Sequence, residues 1–134
     1  MEQNLTIVVP ALDAAASLGA TLDACREAAG AEALVVDGGS RDATRAVARK
    51  HGACVLESAP GRGRQLALGA AAARGGWLLF LHADTRPAPG WFEAVRSFMA
   101  EPGAAEGRAA HFAFALDDPS PEARRPARAC APRC

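Results

Sequence analysis

Three aspartates each follow a short apolar stretch of the sequence, at Asp13, Asp37 and Asp84. If those stretches are parallel strands of one sheet, their carboxyl ends meet at one edge, and the three carboxylates converge there. Carboxylates accept hydrogen bonds from hydroxyl and imide groups and bind hard divalent cations. An aspartate after a strand is more often a turn residue or a helix cap, so their convergence, rather than any one of them, predicts a site.

The segment from Asp37 to Ser40 has the composition of a tight turn, because Gly38 and Gly39 permit backbone angles that other residues avoid. Such a turn brings the Asp37 carboxylate close to a ligand ring or ribose, from whose donor groups it could accept hydrogen bonds. Ser40 and Asp42 are better explained as N-cap residues of the helix that follows. We therefore expect a ligand contact from Asp37 and a structural role for the other two.

His82 and Asp84 are two positions apart, which places both side chains on one face if the strand continues through them. One hard cation could then bind there together with the oxygens of a diphosphate, and it would neutralise charge on a departing nucleotide. A hydrogen-bonded histidine at a strand end is an equally good interpretation of His82. The sequence thus predicts a metal ligand at Asp84 and leaves His82 open.

Residues 61–64, Gly-Arg-Gly-Arg, precede a predicted helix. Free backbone N–H groups, the positive end of the helix dipole and the guanidinium groups of Arg62 and Arg64 could all face an anion such as a diphosphate. A solvated basic loop explains the same residues equally well, since a lone Gly-x-Gly is a weak signal. The sequence has no Gly-x-x-x-x-Gly-Lys-Ser/Thr segment, so it does not support a P-loop nucleotidase.

The elements that would position these residues alternate between strand and helix. Short, apolar, β-branched runs predict the strands, and alanine- and leucine-rich segments with start and stop signals predict the helices. The predicted strands are residues 5–9, 33–36, 53–56 and 77–81, and the predicted helices are residues 14–29, 42–51, 64–74 and 89–99. This order predicts an α/β fold, a mostly parallel sheet with helices on both faces and ligands at the carboxyl ends of its strands.

The sequence changes character after residue 99. Residues 109–116 alternate small and large side chains, which predicts an edge or half-exposed strand. Residues 117–134 are rich in proline and arginine and offer too little apolar surface to offset the entropy of ordering. We therefore expect one domain over residues 1–116 and a disordered tail over residues 117–134, with a low-complexity linker as the alternative for the tail.

The composition fits one domain with an ordinary core, because the chain has 134 residues of which 50% are hydrophobic. Lys plus Arg and Asp plus Glu are equal at 15 each, so no overall field attracts nucleic acid or an anionic membrane. The longest strongly apolar run, residues 77–81, is too short to cross a bilayer, and residues 1–4 lack the basic start of a signal peptide. These observations predict a cytoplasmic protein with no transmembrane segment and no nucleic-acid partner.

The four cysteines are not spaced like a disulfide framework or a zinc site. Cys25 and Cys54 fall inside predicted regular structure, where a thiol usually behaves as a small buried hydrophobe. Cys130 and Cys134 have no second pair of ligands nearby. We expect no structural role for the cysteines beyond packing.

Four motifs, taken in their order and spacing, resemble those of family 2 glycosyltransferases. They are residues 8–13 (Val-Val-Pro-Ala-Leu-Asp), 35–44 (Val-Val-Asp-Gly-Gly-Ser-Arg-Asp-Ala-Thr), 61–65 (Gly-Arg-Gly-Arg-Gln) and 79–85 (Leu-Phe-Leu-His-Ala-Asp-Thr). The last two are especially similar to a bacterial subfamily described as selenium-domain or radical-SAM-associated glycosyltransferases. The resemblance extends over about residues 5–116.

The resemblance implies a Rossmann-like GT-A fold and transfer of a sugar, with inversion, from a nucleotide diphosphate sugar to an unknown acceptor hydroxyl, assisted by Mg²⁺ or Mn²⁺. The residues that it assigns to donor binding are Pro10, Asp13, Asp37, Gly38, Arg62, Arg64 and Ala83, and those that it assigns to the metal are Asp84 and His82. Two positions depart from the family pattern. His82 replaces the first aspartate of an Asp-x-Asp motif, and Asp13 with Ala14 replaces a more usual Asn-Glu pair, so metal dependence is left undecided.

Family members continue beyond the matched region with an acceptor-binding part and, in inverting enzymes, a carboxylate base. No catalytic base is identified in this sequence, because a turn before Pro119 explains Asp117 and Asp118. The C-terminal part is therefore expected to be missing or frameshifted. Two other interpretations stay open: a non-catalytic nucleotide-sugar-binding fragment, and a nucleotidyltransferase, which uses a similar sheet but attacks phosphorus.

Overall fold

A computed structural model describes residues 5–112 of the chain, which form four strands and four helices in alternation. The strands are β1 (Leu5–Ala11), β2 (Glu32–Asp37), β3 (Cys54–Glu57) and β4 (Trp77–Phe80). The helices are α1 (Ala15–Cys25), α2 (Thr44–Lys50), α3 (Arg62–Ala72) and α4 (Trp91–Met99). The order of the elements predicted over residues 5–99 is confirmed. None of the helices in this described range has both the length and the apolar character needed to cross a membrane.

The four strands form one parallel sheet in the order β3-β2-β1-β4. In the centre of the sheet, Val8 of β1 pairs with Leu34 of β2 on one side and with Phe80 of β4 on the other. Both faces of β1 and β2 are buried, and neither Val9 nor Val35 is accessible to solvent. Strands that are buried on both faces have continuously apolar sequences, which is why both were predicted from the sequence.

The helices cover both faces of the sheet. α3 lies over the face that Val8 and Val36 share, where Gly69 is close to both side chains. The strands β1, β2 and β3 follow one another in the same direction across the sheet. Right-handed crossovers therefore place α1 and α2 together on the opposite face, where they pack against each other. The predicted α/β fold, a parallel sheet between two helical layers, is confirmed.

The chain divides into two compact units, Met1–Arg96 and Ser97–Cys134. The first unit contains the whole sheet with α1, α2, α3 and most of α4. In the described part of the second unit, Arg108 forms an ion pair with Glu101 at 2.7 Å and lies 5.5 Å from the centre of the Phe98 ring. All residues of the candidate site described below belong to the first unit.

The beginning of α4 is held by residues at the end of α1. The Glu27 carboxylate accepts the backbone N–H groups of Gly90 and Phe92, at 2.7 Å each. The indole N–H of Trp91 donates to the Ala24 carbonyl at 2.9 Å. The two bonds to Glu27 satisfy backbone N–H groups that a helix start leaves without an intrahelical partner.

All eight elements differ from their predicted bounds at one end or both, and the cause is visible for two of these differences. α1 ends at Cys25 rather than at residue 29, because the N–H of Ala28 bonds to the Cys25 carbonyl three residues back and closes a tighter turn. α3 begins at Arg62 rather than at residue 64, directly after Gly61, whose backbone φ is 145°. Glycine adopts such an angle without steric cost, so the helix starts two residues earlier than the pattern indicated.

The region after α4 bears on two further predictions. Residues 109–112 form no strand, so the part of the predicted edge strand that lies in the described range is not present. Residues 113–116, which complete that prediction, lie outside the described residues, and so does the predicted tail over residues 117–134.

The two described cysteines differ in environment. Cys25 is buried, as predicted, and burial raises the pKa of its thiol to about 11. Cys54 is exposed, so its predicted burial is wrong. It begins β3, which lies at an edge of the described sheet. Cys130 and Cys134 lie outside the described residues.

Candidate functional site

An open cleft of about 540 Å³ lies at the carboxyl ends of β1 and β4, beside the start of α3. The residues that line it are Pro10, Ala11, Leu12, Asp13, Ala14 and Ser17, then Gly61, Arg62 and Gln65, and finally His82, Ala83 and Asp84. The sequence-predicted site residues among them are Pro10, Asp13, Arg62, His82, Ala83 and Asp84. The structure thus brings together three of the four motifs, whereas Asp37, Gly38 and Arg64 do not line this cleft.

The Asp37 carboxylate is fully buried within its own turn. It accepts the backbone N–H groups of Gly39 and Ser40 at 3.2 and 3.1 Å, and the Ser40 hydroxyl donates to its other oxygen. The Arg45 guanidinium lies 3.7 Å away. A buried carboxylate needs such donors and a counter-charge, so the contacts of Asp37 in this structure are structural. Its predicted contact with a ligand stays a prediction.

Asp13 lies between β1 and α1 in the left-handed backbone region, with φ 49°. Non-glycine residues rarely adopt this conformation, although aspartate tolerates it better than most. The Asp13 N–H donates to the Ser40 hydroxyl at 2.8 Å, and the Asp13 carboxylate accepts the Arg41 N–H at 2.7 Å. These reciprocal bonds hold a strained turn that forms one wall of the cleft.

The first N–H groups of α1 are bound by side chains of the segment between β2 and α2. The N–H of Ala14 donates to the Thr44 hydroxyl at 2.8 Å, and the N–H of Ala15 donates to Asp42 at 3.1 Å. Ala14 has no side chain that could cap the helix, so distant residues replace a local cap. The expected role of Ser40 as N-cap of α2 is wrong, because its hydroxyl bonds to Asp37 and to the Asp13 N–H instead. Asp42 does accept the N–H of Thr44, the first residue of α2, at 3.0 Å, and it holds the start of α1 as well.

Asp42 is exposed, yet its carboxylate accepts the hydroxyl and the N–H of Thr44 as well as the N–H of Ala15. The bond from the Thr44 hydroxyl is the main cause that lowers the pKa of Asp42 below its ordinary value of 3.8, and the N–H groups add to it. The ionised form of Asp42 is therefore the one that holds α1.

Gln65 is buried and lines the cleft, and no role was predicted for it from the sequence. Its amide nitrogen donates to the carbonyls of Ala11 and Val36, at 3.0 and 2.8 Å, and thereby ties the ends of β1 and β2 to α3. A Cβ at Gly38 would lie 3.0 Å from the Gln65 side chain, which explains the glycine there. The available signal was the four-residue spacing to Gly69, which places both residues on the buried face of α3.

His82 and Asp84 lie in a turn and not in an extended strand, because β4 ends at Phe80 and the N–H of Thr85 donates to the His82 carbonyl at 3.1 Å. The prediction that the strand continues through both residues and places their side chains on one face is therefore wrong. Both residues are nevertheless exposed and line the cleft, which brings an imidazole and a carboxylate to its mouth.

The carbonyl of Ala83, at the centre of this turn, accepts two hydroxyl groups from α1. Ser17 donates to it at 3.0 Å and Thr21 at 2.9 Å. Neither residue was predicted to belong to the site, since a serine and a threonine inside a helix carry no distinctive sequence signal. The two hydroxyls connect α1 directly to this turn.

Arg62 and Arg64 lie in the first turn of α3 rather than in the loop before it, and both are exposed. Among residues 5–112 neither arginine forms an ion pair. Arg62 lines the cleft, where its guanidinium and the positive end of the α3 dipole both favour an anion.

The residues of the cleft fit a divalent cation that is shared with an anionic ligand. Within the described part of the chain, no group of three or more His, Cys, Asp or Glu side chains could hold a metal ion alone. Asp84 and His82 provide two donors on one exposed turn, and a hard cation takes its remaining ligands from water or from phosphate oxygens. A cation at this site would therefore depend on the anionic ligand for part of its coordination, and the positive charge of Arg62 favours the same ligand.

The chain matches the sequence model of a family described as glycosyl transferase family 2 over residues 6–113. This range contains all the residues that line the cleft. No curated protein is a significant match to the chain.

Similar solved structures include glucosyl-3-phosphoglycerate synthase from Mycobacterium tuberculosis in complex with Mn²⁺, UDP and glucosyl-3-phosphoglycerate. It is 26% identical, with a TM-score of 0.63, over 71% of this chain and 39% of that one. Mannosyl-3-phosphoglycerate synthase from Rubrobacter xylanophilus is 32% identical, with a TM-score of 0.56, over 64% of this chain and 32% of that one. The chain thus spans less than two fifths of the length of either protein.

Proposed function

Since the chain belongs to glycosyl transferase family 2 and has the GT-A fold, we propose that its cleft binds a nucleotide diphosphate sugar, from which the whole protein transfers the sugar to an acceptor hydroxyl. The observation that carries this proposal is the meeting of Arg62 with His82 and Asp84 in one cleft. A cationic side chain and a pair of possible metal ligands in one cleft can stabilise a departing diphosphate.

Arg62 is the residue best placed to bind the diphosphate. Its guanidinium offers paired donors to phosphate oxygens, and it lies at the end of α3 where the helix dipole is positive. Arg64 in the same turn adds positive charge nearby. Pro10, Asp13 and Ala83 also line the cleft and would border the nucleotide.

We propose further that Asp84 and His82 hold a divalent cation, Mg²⁺ or Mn²⁺, together with the diphosphate. When bound, such a cation neutralises the negative charge that develops on the leaving diphosphate. The Mycobacterium tuberculosis synthase, whose structure contains both Mn²⁺ and UDP, supports this assignment by analogy.

The finer features of the activity rest on resemblance. The family pattern suggests inversion at the anomeric carbon, and the two phosphoglycerate synthases suggest a small phosphorylated hydroxy acid as the first acceptor to test. The sequences of residues 61–65 and 79–85 suggest the selenium-domain or radical-SAM-associated subfamily. A cytoplasmic location belongs to the same proposal.

Calorimetric titration of the 134-residue chain with UDP and GDP, with and without Mn²⁺, tests donor binding. We expect Arg62→Ala to weaken nucleotide diphosphate binding about tenfold or more, since a charge-assisted hydrogen bond contributes about 1.5–3 kcal/mol. Arg49→Ala is the matched control, because Arg49 is an exposed arginine on α2 and does not line the cleft. An equal loss in both variants, or no nucleotide binding by the unmodified chain, contradicts the proposal.

Three enzymatic outcomes separate this function from its alternatives. Release of sugar from a nucleotide diphosphate sugar, by transfer or by hydrolysis, supports the glycosyltransferase. Tight donor binding without any turnover supports a non-catalytic binding fragment. Formation of pyrophosphate from a nucleoside triphosphate and a sugar phosphate would identify a nucleotidyltransferase and exclude the main proposal.

A further inference from the structure

We propose that Ser17 and Thr21 are positioning residues that orient Asp84 toward the cation of the donor complex, an inference that rests on the proposed function. Their hydroxyls donate to the Ala83 carbonyl at 3.0 and 2.9 Å. Through this carbonyl they act on the peptide group that joins Ala83 to Asp84. They would thus set the direction of the Asp84 carboxylate without touching the cation.

The peptide between Ala83 and Asp84 is the central peptide of its turn. The bond from the Thr85 N–H to the His82 carbonyl closes a four-residue turn in which Ala83 and Asp84 are the central residues. In such turns the central peptide has two orientations, and the one typical of type II requires a positive φ at the third residue. Among residues 5–112, Asp13 is the only non-glycine residue with a positive φ, so Asp84 has the other orientation.

Both hydroxyls select this orientation, because a reversed peptide would turn the Ala83 carbonyl away from α1. A carbonyl oxygen has two lone pairs, and here each can accept one hydroxyl. Thr21 is fully buried, and its hydroxyl must find an acceptor inside the protein. Without both bonds, the nearly buried Ala83 carbonyl would lack these donors. The peptide between Ala83 and Asp84 would then be less strongly held in one orientation.

The same two bonds link the turn to a helix that is itself held in place. Ser17 and Thr21 are one turn apart on α1, so they face the same side of the helix. The start of α1 is in turn bound by Thr44 and Asp42. The orientation of the Asp84 carboxylate is therefore set by a helix that is itself held in place. Metal ligands in other proteins are commonly oriented by supporting residues in this way.

The test uses the full chain with Ser17→Ala, Thr21→Val and both together, and it measures free Mn²⁺ by electron paramagnetic resonance in the presence of UDP. We expect the double variant to bind Mn²⁺ about tenfold more weakly, as is common when a supporting residue of a metal site is removed. UDP binding without metal should weaken far less than Mn²⁺ binding does, although Ser17 lines the cleft. Thr21→Ser, which keeps the hydroxyl, should restore Mn²⁺ affinity. Ser58→Ala is the control, because the Ser58 hydroxyl donates to the neighbouring Ala59 carbonyl and does not line the cleft.

Nuclear magnetic resonance of the metal-free chain gives a second measurement that does not depend on UDP. In the double variant the amide signals of Asp84 and Thr85 should shift and broaden as the turn samples two orientations. Unchanged Mn²⁺ affinity and unchanged amide signals in a folded double variant would overturn the inference, and so would an equal loss of metal-free UDP binding. If the unmodified chain binds no nucleotide, the proposed function fails, while the amide signals still decide whether the two hydroxyls hold the turn.

Discussion

The pKa of the exposed Asp42 carboxylate reports on the hydrogen bonds that it accepts. Its hydrogen bond from the Thr44 hydroxyl is the main cause that lowers its pKa below 3.8. We expect Thr44→Val to raise the pKa of Asp42 toward that value, because the largest stabilisation of the ionised form is removed. A titration of the side-chain carboxyl signals by nuclear magnetic resonance measures this, and identical curves for both proteins would contradict it.

The sign of the effect on stability follows from the direction of the shift. A carboxyl group whose pKa is lowered by folding stabilises the folded state at pH values above its ordinary pKa, and this contribution is lost as the pH falls through the folded-state pKa. Asp42→Asn should therefore unfold with a weaker dependence on pH below 3.8 than the unmodified chain.

Residue types and spacing were sufficient to predict part of the cleft and insufficient for the rest. Arg62 and Asp84 were predicted because each has a chemical reason to bind a diphosphate or its cation, and because the strand ends and the loop that carry them converge at one edge of a parallel sheet. Ser17, Thr21 and Gln65 were missed because their roles depend on carbonyl groups brought near by the fold. Such partners lie far away in the sequence and leave no local pattern.

At the scale of elements, the contact between α3 and the sheet depends on the absence of a side chain at one position. A Cβ on Gly69 would lie 2.3 Å from a methyl group of Val8 and 3.2 Å from one of Val36, both of which are fully buried. We expect Gly69→Ala to lower the free energy of unfolding by about 1–3 kcal/mol, the usual cost of overpacking a core. Chemical denaturation measures this quantity.

Gly63→Ala is the matched control, since Gly63 lies in the same helix and a Cβ there would meet nothing within 4 Å. Because alanine favours helix more than glycine does, this variant should be as stable as the unmodified chain or more stable, by up to about 1 kcal/mol. Equal destabilisation by both substitutions would show that the close contact at Gly69 does not limit the packing.

The elements themselves were predictable because their signals are local. Apolar runs predicted the four strands, and alternating helices predicted a parallel sheet, both of which the structure confirms. The capping of α1 was not predictable in the same way. Ser40 and Asp42 have the residue types of a local cap, yet they bind amides 27 residues earlier, and only the parallel pairing of β1 with β2 brings these segments together.

At the scale of the whole molecule, β4 has an apolar surface that residues 5–112 leave partly exposed. Leu78 and Phe80 are 39% and 45% exposed, and the pairing of Phe80 with Val8 places them on the face of the sheet that α3 covers elsewhere. An edge strand with exposed apolar side chains favours association with another chain. The similar solved structures are more than twice as long as the matched region of this chain.

We expect the sedimentation coefficient of the chain to rise with concentration, and Phe80→Lys to reduce that rise, since a charge at the edge opposes pairing. Ala71→Lys, which adds the same charge at an exposed position of α3, is the control and should leave the association unchanged. A coefficient that is independent of concentration in the unmodified chain would contradict the role assigned to this surface.

The capping of α1 by the segment after β2 has a consequence for the order of folding. In a nascent chain, the residues of α1 leave the ribosome long before Thr44, whose hydroxyl binds the Ala14 amide 30 positions upstream. Until then the helix start lacks its partners, so its first turn is expected to fray. The wall of the cleft that Asp13 provides is thus completed only after the second strand has been synthesised and paired with the first.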